Sequence, residues 1–394
     1  MTAARVALLT NIPAPYRVPV YDRLAAELGA NFRVLYLAPT EPNRQWKIPE
    51  LKHEHRYLKG ITINGRLAST ILRRQKIDRD DSIVHLKLGV VRELRAFKPD
   101  VVVTAGFSLP MLAGWLYALG THAPHIVFSD GWRVSEERLS WAHRLIRRVV
   151  VSTSDGFVGA SRKTIELYRS YGASDNLFLS PLCVDNERFL TRGAEASDRS
   201  YDLVFAGRLI AAKMPLFFAD VVARLARERR AVSALVIGDG PLRRSMEERL
   251  NGLGDVRVTF TGNLQQQDLP DAYSKGKVFC FPTLRDAWGL VANEACAAGL
   301  PVLTCATAGS ADELVVHGEN GYVLPLDVDI WAHHAQRLLG DDALRTRMGA
   351  SSVRRVADYN FGAAASGLVK AIDACLELAA SHRIHSSACE LAPE

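Results

Sequence analysis

The stretch Leu203–Pro215, LVFAGRLIAAKMP, decides how this chain folds. An apolar run comes first, and Gly207 follows it, where the absence of a Cβ lets the backbone turn sharply. Pro215 suits the first turn of a helix, because its fixed φ and missing N–H cost nothing there. The stretch therefore predicts a buried strand, a tight turn and a helix, with Arg208 and Lys213 at the carboxyl edge of a sheet.

The same alternation of short apolar runs and segments of helical period extends along both halves of the chain. It is typical of parallel sheets wrapped by helices, that is, of an α/β fold. In the first half the predicted strands are Val6–Thr10, Phe32–Leu37, Val101–Thr104, His125–Phe128 and Gly156–Gly159. The predicted helices there are Tyr16–Leu28, Leu86–Phe97, Leu109–Leu119, Glu136–Val150 and Lys163–Tyr171. In the second half the predicted strands are Leu203–Phe205, Ser233–Ile237, Arg257–Phe260, Val278–Phe281 and Pro301–Thr304.

The length of 394 residues and a polar stretch without periodicity at 191–200, TRGAEASDRS, predict two domains and a linker. The first domain would cover residues 1–190 and the second residues 201–360. The last helix, at about 361–380, would pack back on the first domain, and residues 381–394 would form a flexible tail. Two such domains leave a cleft between them, and open α/β sheets bind ligands at the carboxyl ends of their strands.

Composition excludes several classes of protein. The chain is 48% hydrophobic and 23% charged, and no apolar run approaches the roughly 20 residues of a membrane-spanning helix. The first residues, MTAARVALLTNIPAPYR, do not resemble a signal peptide, and the six cysteines form no CxxC pair. We therefore expect a cytoplasmic protein without a structural zinc site.

The net charge of +6 indicates an anionic partner, with basic residues dense at Arg66–Lys98 and Arg133–Lys163. An ordinary solvated basic surface is one interpretation, and an anionic membrane surface is another, since each Lys or Arg near such a surface adds about 1 kcal/mol. Binding to nucleic acid is disfavoured, because no aromatic, finger or zipper pattern accompanies the charge.

The first candidate site is formed by Arg208 and Lys213. Both would lie beside the N-terminus of the helix that begins at Pro215, where unpaired N–H groups and the helix dipole also favour anions. A diphosphate fits this site. Two exposed surface cations would give the same sequence, so the segment alone leaves both interpretations open.

The second candidate site lies in Phe281–Val302, FPTLRDAWGLVANEACAAGLPV. Asp286 would lie in the loop after a strand, and Glu294 would lie on the helix that follows. Carboxylates accept hydrogen bonds from the vicinal hydroxyls of sugars and ribose. The N–H groups of the first helical turn would be further donors, namely those of Gly289, Leu290 and Val291. Two solvated acids are the alternative interpretation.

Together and in this order, these segments resemble family 4 of the retaining glycosyltransferases, the glycosyl transferases group 1. Members of that family have the GT-B fold, two Rossmann-like domains with parallel sheets facing across a cleft. The resemblance covers nearly the whole chain and is strongest from Leu203 to Val323. Further similar segments are GDGP at Gly238–Pro241, FTGN at Phe260–Asn263, ELVVHGENG at Glu313–Gly321 and SPLCVDNERF at Ser180–Phe189.

The resemblance implies that Arg208 and Lys213 bind the diphosphate of a nucleotide-sugar donor, with UDP or GDP as its nucleotide. It implies that Asp286, where Glu is usual in the family, holds the donor sugar and that Glu294 holds the ribose. The other residues predicted to bind the donor are Gly207, Gly262, Trp288, Gly289, Leu290 and Val291. Neither a metal nor a cofactor is expected, because the two cations take the place of a metal.

The first domain departs from the family, since Asn11–Arg17, NIPAPYR, stands where many relatives have a Gly-Gly loop. The resemblance then implies that Pro15, Tyr16 and Arg17 line the acceptor side. Asp130, in SDGW after a strand, is predicted to contact the acceptor hydroxyl or the donor sugar. Capping of a helix is the alternative interpretation of Asp130.

The sequence thus predicts a metal-independent, retaining transferase that moves a sugar to a glycan or lipid-linked acceptor. Its catalytic residues would be Arg208, Lys213, Asp286 and Asp130. The resemblance implies a role in polysaccharide, lipopolysaccharide or glycolipid biosynthesis, with peripheral binding at the inner membrane face. Two alternatives stay open: a UDP-sugar 2-epimerase of the same fold, for which no convincing His/Glu set is found, and a non-catalytic protein that binds sugar nucleotides.

Overall fold

A computed structural model describes residues 4–42, 44, 46–64, 83–137, 139–195, 199–228, 231–254 and 256–390. The chain divides into two compact units. The first unit contains the chain up to Pro181 together with the chain from Phe361 onward, and the second is Leu182–Asn360. Within the described ranges, no helix is both long enough and apolar enough to cross a membrane.

The first unit is built on a parallel sheet whose central strands are largely buried, as continuous apolar runs such as Val6–Thr10 require. The strands are β1 (Val6–Thr10), β2 (Phe32–Tyr36), β3 (Glu54–Tyr57), β4 (Gly60–Asn64), β5 (Ile83–Lys87), β6 (Val101–Ala105), β7 (His125–Ser129), β8 (Gly156–Gly159) and β9 (Leu177–Leu179). Seven of them form one parallel sheet in the order β3-β2-β1-β6-β7-β8-β9, and β4 and β5 form an antiparallel pair. The helices are α1 (Val18–Leu28), α2 (Val90–Phe97), α3 (Leu109–Thr121), α4 (Arg133–Glu136), α5 (Trp141–Ser152) and α6 (Arg162–Ser170).

The second unit has a six-stranded sheet whose strands are all parallel. The strands are β10 (Tyr201–Ala206), β11 (Val232–Ile237), β12 (Val256–Gly262), β13 (Gly276–Phe281), β14 (Val302–Thr304) and β15 (Gly321–Val323). Their order is β12-β11-β10-β13-β14-β15, which is the doubly wound order with its reversal between β10 and β13. The helices are α7 (Asn186–Glu195), α8 (Pro215–Ala226), α9 (Arg243–Leu250), α10 (Leu269–Ser274), α11 (Leu290–Ala297), α12 (Val328–Gly340) and α13 (Asp342–Val356).

The last helix, α14 (Phe361–Glu390), lies in the first unit, where it contacts α1, β8 and β9. The contact with β9 is very close, since a Cβ on Gly367 would lie 1.7 Å from the carbonyl oxygen of Leu179. Ser180 adds a hydrogen bond of 2.8 Å from its Oγ to the carbonyl oxygen of Ala364. A small residue on α14 and a buried hydroxyl beside β9 therefore fasten the end of the chain to the first sheet.

Every strand predicted from the sequence is present, but two predicted helices were wrong in part. The segment predicted as the helix Leu86–Phe97 begins as strand β5, and α2 starts only after Gly89, whose φ is 92°. The predicted helix Glu136–Val150 is divided into α4 and α5, and Ser140 caps the second of these by accepting from the N–H of His143. Local backbone conformation decided both boundaries.

The predicted linker at 191–200 was wrong in its first half, because α7 continues to Glu195. Packing explains the glycine in this segment. A Cβ on Gly193 would lie 2.8 Å from the carbonyl oxygen of Ala298, because α7 passes close to the end of α11. The predicted flexible tail at 381–394 was also wrong as far as Glu390, where α14 ends. Residues 196–198, 391–394 and the part of the basic segment Arg66–Lys98 up to residue 82 lie outside the described ranges.

Candidate active site

The candidate site of the second unit lies where the strand order reverses, between β10 and β13. At such a point the loops after the two strands diverge, and open parallel sheets bind their ligands there. Both segments singled out from the sequence lead into this edge. Leu203–Pro215 leaves the end of β10, and Phe281–Val302 leaves the end of β13.

The loop after β10 rests on the GDGP segment after β11. The N–H of Leu209 donates to the carbonyl oxygen of Asp239 at 2.9 Å, and a Cβ on Gly238 would lie 2.1 Å from the carbonyl oxygen of Gly207. Gly238 also has a φ of 126°, which favours glycine. This packing fixes Gly207 and the half-buried Arg208 at the carboxyl edge of the sheet.

Lys213 ends a 3₁₀ turn at Ala211–Lys213, just before α8, and its ammonium group forms an ion pair with the carboxylate of Asp286. The two loops are bound to each other beside this pair. The N–H of Leu284 donates to the carbonyl oxygen of Ala212 at 2.9 Å, and the hydroxyl of Thr283 donates to the same oxygen at 3.0 Å. The structure therefore brings together a cation and an acid from the two segments, which the sequence predicted separately.

The loop between β13 and α11 is held by backbone contacts. Asp286 donates its N–H to the carbonyl oxygen of Thr307 at 3.1 Å, and its Oδ1 accepts from the N–H of Trp288 at 3.3 Å. Gly289 has a φ of 94°, and a Cβ there would lie 2.3 Å from the ring of Phe281. Helix α11 then begins at Leu290, and its N-cap residue, Gly289, has no side chain that could accept from the first turn.

Glu294 lies on α11 and is half-buried. Burial raises the pKa of its carboxyl group to about 7, while a hydrogen bond of 2.6 Å from the hydroxyl of Tyr273 acts to lower it. Near neutral pH this carboxyl group is therefore divided between its protonated and ionised forms. Sequence reasoning missed Tyr273, because nothing in the LPDAY segment shows that its hydroxyl faces α11.

Trp288 and Gly262 lie differently from the other predicted donor residues. The side chain of Trp288 is in the interior, where its indole N–H donates to Oδ1 of Asn293 at 2.7 Å and its ring stacks on Tyr359 at 5.4 Å. Gly262 ends β12, and its carbonyl oxygen accepts from the N–H of Gly238 at 2.9 Å. The structure thus gives the indole a supporting position beneath the loop. Leu290 and Val291, by contrast, are half-buried at the edge.

The residues predicted for the acceptor side lie in the first unit, around the carboxyl end of β1. Pro15 is buried and Tyr16 half-buried, and the guanidinium of Arg17 lies over the ring of Phe128, 4.5 Å from its centroid. Burial raises the pKa of Tyr16, and the charge of Asp130 raises it further. Asp130 is therefore near enough to Tyr16 for their charges to interact.

Asp130 is exposed and follows β7. Other groups make the hydrogen bonds of this turn: Ser129 accepts from the N–H of Gly131 at 3.0 Å, and Ser135 accepts from the N–H of Trp132 at 2.9 Å. Helix α4 has Trp132 as its N-cap. The capping interpretation of Asp130 is therefore not supported, and its carboxylate remains at the edge of the sheet.

In the described part of the chain, no three His, Cys, Asp or Glu side chains come together as a group that could hold a metal ion. The titratable residues predicted from the sequence at the edge of the second sheet are two cations and two acids, Arg208, Lys213, Asp286 and Glu294. Such a set can bind an anion with its cations and hydroxyl groups with its carboxylates.

Comparison with known proteins agrees with this geometry. Residues 200–341 match the family model described as Glycosyl transferases group 1. Among the relatives, the Arabidopsis thaliana sulfoquinovosyl transferase SQD2 is 26% identical over 70% of this chain, and a Corynebacterium diphtheriae D-inositol 3-phosphate glycosyltransferase is 29% identical over 58% of it. The aligned regions cover 56% and 58% of these two proteins, so the chain spans less than two thirds of their length.

Solved structures share the fold over almost the whole chain. Anabaena Alr3699/HepE in complex with UDP and glucose has a TM-score of 0.68 at 14% identity, covering 94% of this chain and 99% of that one. The α,α-trehalose 6-phosphate synthase of Burkholderia multivorans has a TM-score of 0.70 at 14% identity, covering 100% of this chain and 99% of its own. The chain therefore has the GT-B fold, with two parallel-sheet α/β units, and its residues 200–341 are similar to the group 1 glycosyl transferases.

Proposed function

We propose that this chain is a retaining, metal-independent glycosyltransferase that moves a sugar from a nucleotide-diphosphate sugar to a glycan or lipid-linked acceptor. The observation that carries the proposal is the Lys213–Asp286 pair at the reversal of the second sheet, beside Arg208 and the uncapped start of α11. A sugar diphosphate presents negatively charged phosphate oxygens, which a cation and helix N–H groups can bind, and sugar hydroxyls, which a carboxylate can bind.

The chemistry requires stabilisation of a leaving diphosphate. As the bond between the anomeric carbon and the phosphate oxygen breaks, negative charge builds on that oxygen, and the acceptor hydroxyl bonds to the anomeric carbon on the same face. The hydroxyl proton passes to the departing phosphate. Fixed donors aimed at the developing charge stabilise it without reorganisation, which is the role we assign to Arg208 and Lys213.

The ion pair leaves Lys213 able to do this. An ammonium group has three donors, and Asp286 occupies one, so that two remain for phosphate oxygens. Asp286 fixes the position of the ammonium group and keeps its second oxygen near the sugar position. Because two cations face the diphosphate, the proposed reaction needs no divalent metal.

The donor nucleotide would be held through Glu294, whose ionised carboxylate accepts from the two ribose hydroxyls. UDP is the first nucleotide to test, because Anabaena Alr3699/HepE, which shares this fold, has been solved with UDP and with UDP-glucose. GDP is the second.

We further propose that the protein works at an anionic membrane surface, in the synthesis of a cell-surface polysaccharide, lipopolysaccharide or glycolipid. Helix α5 supports this, because Trp141, Leu145 and Val149, spaced four residues apart, are all exposed, Trp141 by 78%. Arg144 and Arg148 are exposed on the same face. Apolar side chains flanked by Arg, with a Trp at one end, are typical of helices that lie in a membrane interface.

Helix α3, which contacts the end of α5, carries two further exposed leucines. Leu109 and Leu116, seven residues apart, are exposed by 65% and 58%, and the indole N–H of Trp115 donates to the hydroxyl of Thr153 at 3.0 Å, beside the end of α5. An apolar face of two adjacent helices fits a lipid surface better than it fits solvent.

The membrane proposal is tested by flotation with vesicles of phosphatidylcholine containing phosphatidylglycerol. The wild type should float, and the double variant Trp141→Ser/Leu145→Ser should stay in the soluble fraction. Leu190→Ser removes an exposed leucine of the second unit and is the matched control. Wild-type protein that stays soluble with these vesicles would contradict the proposal.

The transferase proposal is tested first by thermal stabilisation with a panel of nucleotide-diphosphate sugars, because a ligand of the folded state raises apparent stability. Single-turnover transfer from the stabilising donor then follows. Lys213→Met should lower the rate about 100- to 1,000-fold, the usual effect of removing one such donor. A loss of only about twofold would remove the charge role.

The chain offers a matched control for this variant. Lys277 forms an ion pair with Asp202 at 2.9 Å, and both residues lie near the N-terminal ends of their strands, β13 and β10. Lys277→Met therefore removes a lysine–aspartate pair that lies away from the carboxyl edge. Its single-turnover rate should stay near that of the wild type. Incubation of the donor without acceptor distinguishes the alternatives: conversion to an epimeric sugar nucleotide would indicate an epimerase, and donor binding without transfer to any acceptor a non-catalytic protein.

A further inference from the structure

Three arginines of the first unit lie over phenylalanine rings at similar distances, 4.2 to 4.7 Å from guanidinium carbon to ring centroid: Arg33 over Phe97, Arg147 over Phe107 and Arg17 over Phe128. The first two also hydrogen-bond a carboxylate, that of Glu54 at 2.6 Å and that of Glu136 at 2.7 Å. In both of these cases, a guanidinium group that stacks on a ring is also paired with a carboxylate.

Arg17 is only 8% exposed, yet its Nη1 is shielded from solvent without a hydrogen-bond partner among the described residues. A buried cation that lacks an acceptor costs more free energy than a neutral polar group, because charged groups lose the most hydration. Stacking on Phe128 supplies attraction but no acceptor. Arg17 therefore stacks on a phenylalanine ring as Arg33 does, but no carboxylate among the described residues pairs with it as Glu54 pairs with Arg33.

Two further N–H groups in the same situation lie nearby. Nε of Arg44 and the indole N–H of Trp46 are shielded and have no partner in the part of the chain that the structure describes. The guanidinium of Arg44 lies 4.9 Å from the ring centroid of Trp46, and Tyr16 meets that ring edge to face at 6.1 Å. Burial raises the pKa of Tyr16, and the charges of both Arg17 and Arg44 oppose that rise, so both cations lie near this tyrosine.

These residues share one edge of the first sheet. Arg17 follows β1, Arg44 and Trp46 follow β2, and Phe128 lies near the carboxyl end of β7. This edge is where open parallel sheets bind ligands. The unsatisfied groups are all donors, and two of them belong to permanent cations.

Carboxylates lie nearby, but among the described residues none accepts a hydrogen bond from the shielded N–H groups of Arg17, Arg44 and Trp46. Glu41 approaches Arg44 at 3.8 Å, which is longer than a hydrogen bond, and one of its oxygens also accepts from His85 at 3.1 Å. Asp130 is exposed. Three donors, two of them on cations, fit an acceptor that carries several oxygens and negative charge, and a phosphoryl group has both.

We propose that Arg17, Arg44 and Trp46 form a phosphoryl-binding site, and that the acceptor of the reaction carries the phosphoryl group; the second part rests on the proposed transferase function. Two guanidinium groups and an indole N–H bind the phosphoryl oxygens. This site belongs to the first unit, whereas Arg208 and Lys213, to which the proposed function assigns the diphosphate of the donor, belong to the second.

The experiment measures thermal stabilisation and calorimetric binding of the full chain with inorganic phosphate and, in a second arm, with UDP, at constant ionic strength. Arg17→Met should weaken phosphate binding about 10- to 100-fold, as expected for charge-assisted hydrogen bonds, and should leave UDP binding unchanged. Lys213→Met should do the reverse. Arg33→Met, which removes a stacked arginine that already has its carboxylate, should change neither.

Each outcome decides the matter. Phosphate binding that is lost with Arg17→Met and kept with Lys213→Met supports the site. A wild type that does not bind phosphate, or binding that depends on Lys213 alone, overturns it. Loss of UDP binding in Arg17→Met would make the phosphoryl group that of the donor and overturns the acceptor assignment. If UDP never binds but phosphate does so through Arg17, the site stands and the transferase proposal falls.

Discussion

The carboxyl group of Glu294 gives the most quantitative test of the donor site. Burial raises its pKa to about 7, and ribose hydroxyls bind best to the ionised form, which accepts from both of them. With a pKa of about 7, about one tenth of the carboxyl groups are ionised at pH 6 and about nine tenths at pH 8. The affinity for UDP should therefore rise up to about tenfold between these two values.

The assay is calorimetric titration of UDP at several pH values between 6 and 8, with Glu294→Gln as the reference. The terminal phosphate of UDP itself titrates at about pH 6, so the informative quantity is the ratio of wild-type to variant affinity at each pH. Tyr273→Phe adds a second, directional test. The hydrogen bond from Tyr273 lowers the pKa of Glu294, so its loss should move the midpoint of the rise to higher pH.

The reasoning would be refuted by parallel pH profiles of wild type and Glu294→Gln. It would also fail if Tyr273→Phe moved the midpoint to lower pH, because the hydroxyl would then not be stabilising the ionised carboxylate.

Three further predictions concern stability. Because the pKa of Glu294 is raised on folding, its protonated carboxyl group stabilises the fold fully below about pH 4.5, and this contribution is lost as the pH rises through about 7. Glu294→Gln should therefore unfold at a higher temperature than wild type at pH 8 but not at pH 4.5. Gly238→Ala, whose Cβ would lie 2.1 Å from a backbone oxygen, should lower the free energy of unfolding in urea by about 2 kcal/mol or more, whereas Gly252→Ala, which has a positive φ but open space, should cost about 1 kcal/mol. Burial acts to raise the pKa of Asp202, but hydrogen bonds hold it below its usual range, so the advantage of wild type over Asp202→Asn should be present at pH 7 and shrink as the pH falls below about 4, as measured by thermal unfolding.

The fold could be predicted because its central strands are buried on both faces and therefore appear as apolar runs in the sequence. The strands that were missed lack this signature. β3, with the sequence EHRY, is a half-exposed edge strand, β4 and β5 pair with each other outside the main sheet, and β9 and β15 have three residues each. Their formation depends on pairing with a neighbour, which short-range patterns do not record.

The candidate site divides in the same way. The positions of Arg208, Lys213 and Asp286 follow from strand ends, which are visible in the sequence. The ion pair joining Lys213 to Asp286, 73 residues apart, requires the two strands to be neighbours. The raised pKa of Glu294 depends on a buried tyrosine from another helix, so that only the structure could reveal it.

The shielded donors of the first unit were the least accessible to sequence reasoning. The resemblance placed Arg17 at the acceptor side, but neither Arg44 nor Trp46 belongs to a motif. Their significance depends on which acceptors are absent around them, and this follows from the packing of two loops after different strands.

The position of α14 has a consequence for the order in which the protein is made. The first unit lacks its last helix until Phe361–Glu390 has left the ribosome, whereas the chain of the second unit, ending at Asn360, is complete earlier. The nascent first sheet would meanwhile expose the surface of β8 and β9 on which α14 packs. A stop codon just before residue 361 should therefore impair a unit whose other residues were all translated, and proteolysis of such a truncated product should begin in the N-terminal half.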